Sequence, residues 1–159
     1  MPRTPYQNMK AINYAKQYCG KNDNACGVYL QEGALSDCAH FLAHCLDAGG
    51  IRIANTDPAT AFCPHGLAVR NTIIEAELAR LAGRFDNVKK TTLDDTIVGD
   101  IGFLQLHRPT HAFMVSQPGP LPGSLNVPFV WAHSTNRCNT QLDTNFRQWL
   151  SSAYRLEDG

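Results

Sequence analysis

The chain has 159 residues, 43% hydrophobic and 18% charged, and its 14 basic and 14 acidic side chains leave no formal net charge. A single domain spanning residues 1–159 is expected, long enough to bury roughly two-thirds of the surface its unfolded chain exposes. No Lys/Arg cluster exceeds the pair Lys89-Lys90, which excludes the basic face that a nucleic-acid partner requires, and no apolar run is long enough for a membrane span.

The opening MPRTPYQNMK lacks the apolar core of a cleaved signal. The expectation is synthesis in the cytoplasm, with any action in a periplasm or cell wall needing another export route. Next, YQNMKAINYAKQYC sets Met9, Ile12, Ala15 and Tyr18 or Cys19 at helical spacing and predicts a first helix. The polar loop GKNDNA follows, flanked by Cys19 and Cys26, which could close it as a disulfide. A second helix is predicted in SDCAHFLAHCLDAGG, with Ser36 or Asp37 as N-cap and Cys38 at its first or second residue. Its apolar stripe is Phe41, Leu42, Cys45 and Leu46; His40, His44 and Asp47 lie on another face, and Gly49-Gly50 stops it. A third helix is predicted in RNTIIEAELARLAGR, with Thr72 and Glu75 at capping-box spacing, Ile74, Leu78 and Leu81 buried, and Gly83 at the C-cap.

The period then changes to alternation. GDIGFLQLH, HAFMVSQ and NVPFVWAHS read as strands, and FRQWLSSAYRLED reads as a helix or a helix followed by a strand. Helices first and an antiparallel sheet second give an α+β class, N-terminal helices packing on a C-terminal sheet. A hairpin of the second and third strands sets Val115 against Phe129, Phe113 against Trp131 and His111 against His133. That register brings two histidines to the open end of one sheet face.

Six cysteines, at 19, 26, 38, 45, 63 and 138, contain no C-x-x-C, which argues against a zinc knuckle. His40 and His44 have the spacing of two zinc ligands, but the zincin pattern needs a glutamate where Phe41 stands. No metal and no cofactor is therefore expected. Cys38 is different from the other thiols by position. A thiol attacks as thiolate, the N–H groups of a helix N-terminus favour that form, and they also offer donors to an oxyanion.

These residues resemble a family. SDCAHFLAHCLDAGGI, GDIGFLQL, THAFMVSQ and VWAHSTNR together look like the papain-like cysteine amidase and peptidase superfamily. The nearest forms are bacterial amidase domains with a D-C-x-x-F-x-x-x-x-L-x-A-G-G helix; NlpC-type endopeptidases and CHAP amidases are more distant. The resemblance implies a papain-like (NlpC-type) fold, Cys38 as nucleophile, His111 as general base and His133 as the group orienting it. Ser134 or Asn136 takes the orienting role if the strand register slips. Ser36, Asp37, His40 and Ser134 would line the oxyanion and substrate cleft.

The implied activity is that of a monomeric amidohydrolase or endopeptidase cleaving amide bonds of peptidoglycan stem peptides. A small chain of this kind suits an antibacterial effector, whose partner would be an immunity protein plugging the cleft, and equally suits a phage lysin domain. The alternatives are a Cys-His acyltransferase or deamidating toxin acting on a protein or lipid carbonyl, and a catalytically silent binding module.

Overall fold

The computed structural model describes residues 1–21, 23–28, 37–56, 63–105, 109–118, 127–133, 137–142 and 150–159. The order of elements is α1 (Asn8–Tyr18), α2 (Asp37–Gly49), α3 (Asn71–Ala82), β1 (Val88–Thr91), β2 (Ile101–Gln105), β3 (Pro109–Gln117), β4 (Phe129–Ala132), β5 (Arg137–Gln141) and β6 (Leu150–Leu156), with a 3-10 turn at Leu93–Asp95. The strands form one antiparallel sheet in the order β1-β6-β2-β3-β4-β5. The α+β class follows from the helix-then-strand order. β1 and β5 have no counterpart among the strands expected from the sequence. Of the ambiguous C-terminal segment, Leu150–Leu156 is a strand inserted between β1 and β2, and the helix expected before it falls partly on residues 146–149, outside the described residues.

Alternation assigns each side chain of the sheet to one of two layers. Ile101, Phe103, Ala112, Met114, Trp131 and Tyr154 belong to the main core with the helices. Leu104, Phe113, Val115, Val130, Ala132 and Ala153 form a second apolar cluster with Leu93, Val127 and Leu142. α2 packs on β3 and β4, α1 covers α2, and α3 packs on β1 and β3.

Helix α2 is buried nearly all round because it lies between α1 and the sheet. Every residue from Asp37 to Leu46 is buried, so His40 and His44 are interior groups rather than the polar-face histidines expected. Helix α1 turns Ala11, Ile12, Tyr14 and Ala15 inward and leaves Met9 exposed; Ile12, Ala15 and Cys19 of the predicted stripe are buried, and Tyr14 joins them, donating to Asn24 of the loop that follows. Ile74, Leu78 and Leu81 form the buried side of α3 and Gly83 is its C-cap, as their spacing indicates. The capping box does not form. Arg70 is the N-cap, Thr72 lies inside the helix, and Glu75 instead accepts a hydrogen bond from Ser152 on β6.

The end of α2 depends on two glycines for different reasons. Gly50 has φ +109° and its successor Ile51 donates back to the Leu46 carbonyl at 2.9 Å, a left-handed termination. Gly49 faces the buried Tyr6 ring, whose nearest carbon would be 2.4 Å from an added Cβ. Gly49→Ala should therefore cost about 1–3 kcal/mol through overpacking, read as a lower urea midpoint with unchanged slope.

Cys19 is bonded to Cys138 of β5, Cα atoms 5.5 Å apart and 119 residues apart in sequence. The expected Cys19–Cys26 closure is not made; Cys26, Cys45 and Cys63 are free thiols. Joining the end of α1 to the sheet edge, the bridge closes a loop that spans most of the chain, where the entropic contribution is large. The Gly-Asp pair before β2 is structural. Asp100 is buried, receives the Ile97 N–H at 2.9 Å and pairs with Arg155 at 2.9 Å.

Candidate active site

The first turn of α2 collects the polar groups of the main core. Asp37, 0% exposed, accepts from His40 Nδ1 at 3.0 Å on one carboxylate oxygen and from His133 Nδ1 on the other. Asn24 Nδ2 also donates to it, at 3.3 Å. An acidic side chain at this point also suits the positive end of the helix dipole. His133 is buried, its Nε2 meets the Tyr18 carbonyl, and its ring stacks on Phe41 with centroids 4.2 Å apart. One histidine thus ties the end of α1 to the start of α2.

Cys38 is the second residue of α2 and 1% exposed. The amide of Asn71, first residue of α3, sits against it, with Nδ2 3.6 Å from the sulfur and Oδ1 3.8 Å from it. Asn71 is itself buried. Asn71 falls at the start of the predicted third helix and carries no motif of its own; an asparagine directly ahead of an apolar helix is the signal that could mark it.

The hairpin register differs from the expected one by one residue. Met114 faces Trp131 and Val115 faces Val130, with an irregularity before the pair Gln117 and Phe129. A one-residue slip exchanges the faces. His111 is paired with Leu104, next to an irregularity where Gln105 meets Pro109, and it lies in line with Phe113 and Val115 on the second cluster's face. Trp131 and His133 lie in line on the face toward α2. The two histidines are therefore not side by side on one face, and His133 meets Asp37 where the resemblance implied a partner for His111. The His111 pKa is lowered from the usual imidazole value, by burial first and by the Arg137 charge second. Ser36, Ser134 and Asn136 lie outside the described residues.

A second constellation adjoins the first through His40. Cys26 Sγ, His40 Nε2, His44 Nε2 and Cys63 Sγ all lie within 4.8 Å of one another. Burial pushes the Cys26 thiol up to about 11, with Cys63 adding to the effect. Burial also brings His44 down to about 3, helped by His40 and His65. Tyr14 lies flat on His44, centroids 5.6 Å apart, and its hydroxyl donates to Asn24 Oδ1 at 2.9 Å and accepts from the Ala25 N–H at 3.2 Å.

A family model described as "Putative amidase domain" (Amidase_6) matches residues 5–63. This stretch is amidase-like. It carries α1, the loop after it and α2 with Cys38, and it stops before β3, which holds His111, and before β4, which His133 directly follows. No curated protein and no solved structure matches the chain. The match supports a hydrolase of amide bonds in coarse terms, with Cys38 inside the matched segment.

Proposed function

We propose that the chain is a cysteine amidohydrolase in which Cys38 is the nucleophile. The observation that carries this reading is the position of Cys38: second residue of a helix, within the amidase-like stretch, with an amide of Asn71 at its sulfur. A packing thiol needs neither a helix start nor a polar neighbour. Cys45, seven residues on and wholly buried in the same helix, shows what such a thiol looks like.

In this mechanism a histidine takes the proton of Cys38, and the sulfur attacks the substrate's amide carbon. The helix N–H groups and the Asn71 amide receive the oxyanion, a contribution of ~3 kcal/mol for each well-placed donor. The C–N bond breaks, the amine leaves with the proton from the imidazolium, and a thioester remains. Water, deprotonated by the same histidine, then attacks the thioester and releases the acid and the thiol. We assign the base to His111, the residue onto which the family resemblance carries that role; the register sets it on the sheet face away from α2, so the proton transfer requires the start of β3 to turn toward Cys38. One observation favours a second assignment: His133 is the histidine on α2's side of the sheet, one carboxylate away from the helix start.

The two assignments differ in outcome. With His111 as base, His111→Ala lowers kcat by about 10²–10⁴-fold and His133→Ala acts first on stability. The reverse result transfers the role to His133. With His111 as base, the acid limb of kcat/KM should also lie below the ordinary imidazole value of about 6.5, since only the neutral ring is active. Arg137→Gln should move that limb to higher pH, because the positive charge that disfavours protonation is gone.

The substrate class we assign is the amide bonds of peptidoglycan stem peptides. The Cys19–Cys138 bridge supports action in an oxidising compartment, as for a wall-directed effector with an immunity protein as partner. Incubating sacculi with wild type and with Cys38→Ala, and reading new amino groups and released fragments by mass, tests this. Cleavage by the wild type alone supports it. Unchanged sacculi in both samples would overturn the substrate class and favour a protein or lipid carbonyl as the target.

A further inference from the structure

We infer that Cys26, His40, His44 and Cys63 form a tetrahedral zinc site that clasps two loops to helix α2. Zinc with bonds of about 2.3 Å to sulfur and about 2.0–2.1 Å to nitrogen defines a tetrahedron with edges near ~3.3 Å between nitrogens and near ~3.5 Å between nitrogen and sulfur. Four of the six edges are 3.2 Å from His40 Nε2 to His44 Nε2, 3.5 Å from Cys26 Sγ to His40 Nε2, 3.3 Å from Cys26 Sγ to His44 Nε2 and 3.7 Å from Cys63 Sγ to His44 Nε2, and the two others, from Cys63 Sγ to Cys26 Sγ and to His40 Nε2, are within 4.8 Å. Four ligand atoms converge on one centre from three places in the chain, and the set of two sulfurs and two nitrogens selects zinc among the common divalent metals.

The surroundings are those of a metal-bound imidazole. His40 Nδ1 donates to the buried Asp37 carboxylate, which leaves Nε2 with its lone pair directed at the centre, the carboxylate–histidine–metal arrangement. His44 is fixed flat against Tyr14. The helix supplies His40 and His44 one turn apart, while Cys26 comes from the loop after α1 and Cys63 from the segment before α3. Two thiolates balance the charge of the ion, so the filled site is neutral in an interior where His40, His44 and Cys63 are all under a tenth exposed.

Four protein ligands leave no open position, so the ion is structural. It would hold the loop that carries Asn24 and, through His40, the carboxylate beside Cys38. This role stands apart from the amidase reading, since it requires no nucleophile.

Metal analysis of the full chain, purified without chelator, is the test. Wild type and Cys38→Ala should each carry one zinc, whatever their activity. Cys26→Ser and His44→Ala should fall below about a tenth of that amount. Replacing zinc by cobalt(II) in the wild type should give the intense visible bands of a tetrahedral ion and a thiolate-to-metal charge-transfer band. Cys26→His, which keeps four ligands and guards against simple unfolding, should retain the metal with the charge-transfer band reduced by about half. A wild type that holds no zinc and shows no cobalt bands overturns the inference, as does stoichiometric iron or copper, or cobalt bands lacking the thiolate transition.

Discussion

Replacing Cys38 by alanine should lower kcat/KM for amide cleavage by at least about 10³-fold, since a nucleophile removed from a concerted catalytic unit leaves only binding and oxyanion stabilisation. The fold should remain. The substitution deletes one buried sulfur atom and leaves the Asn71 amide with the other groups of the helix start, a change of about 1–2 kcal/mol at most. Cys45→Ala provides the contrast. Its thiol is wholly buried and burial pushes its pKa up, so it should lose stability by a similar amount with kcat unchanged. Parallel urea melts and steady-state kinetics on both variants separate a chemical role from a packing role. Equal loss of activity in the two would assign Cys38 to the core.

The largest loss of stability is expected at Asp37. Its carboxylate is fully buried and is shared by His40, His133 and Asn24. Asp37→Ala leaves those donors facing an apolar cavity, and removing one partner of a buried charged network costs about 3–5 kcal/mol. That is a large part of the 5–15 kcal/mol of net stability typical of a whole domain. Asp37→Asn keeps the volume and one acceptor oxygen, so it should cost clearly less. The urea midpoints of the two variants check this order. Asp37→Ala should also weaken zinc retention, because His40 loses the group that directs its Nε2; a variant that melts early with full metal content would separate the two roles of the carboxylate.

Local pattern accounts for what the sequence made legible. α2 and α3 announce themselves by apolar period and terminal glycines, and Cys38 by its place directly after an acidic residue at a helix start. The cores of β2, β3 and β4 are visible as alternation. The antiparallel pairing of β3 with β4 is legible too, but its register is not, because an irregularity between Val115 and Gln117 shifts it by one residue, and one residue decides which face a histidine takes. β6 stays open between helix and strand in the sequence because insertion between β1 and β2 is a long-range choice of the sheet. Helical spacing set His40 and His44 apart from the apolar stripe, but not that α1 would cover them. The inferred metal-ligand set has no local motif because Cys26 and Cys63 lie far from His40 and His44 in sequence. A pair of histidines one turn apart on an otherwise apolar helix, with two unpaired cysteines in the flanking loops, is the signal that could have exposed it.

The most direct test of the central claim is to look for the thioester. Wild-type protein turning over soluble stem-peptide fragments released from sacculi is quenched in acid, digested and mapped by mass. The account predicts the acyl fragment on the peptide that holds Cys38, absent when that residue is alanine. Cleavage that proceeds with no acyl group at this position, and at the same rate in the alanine variant, would contradict it.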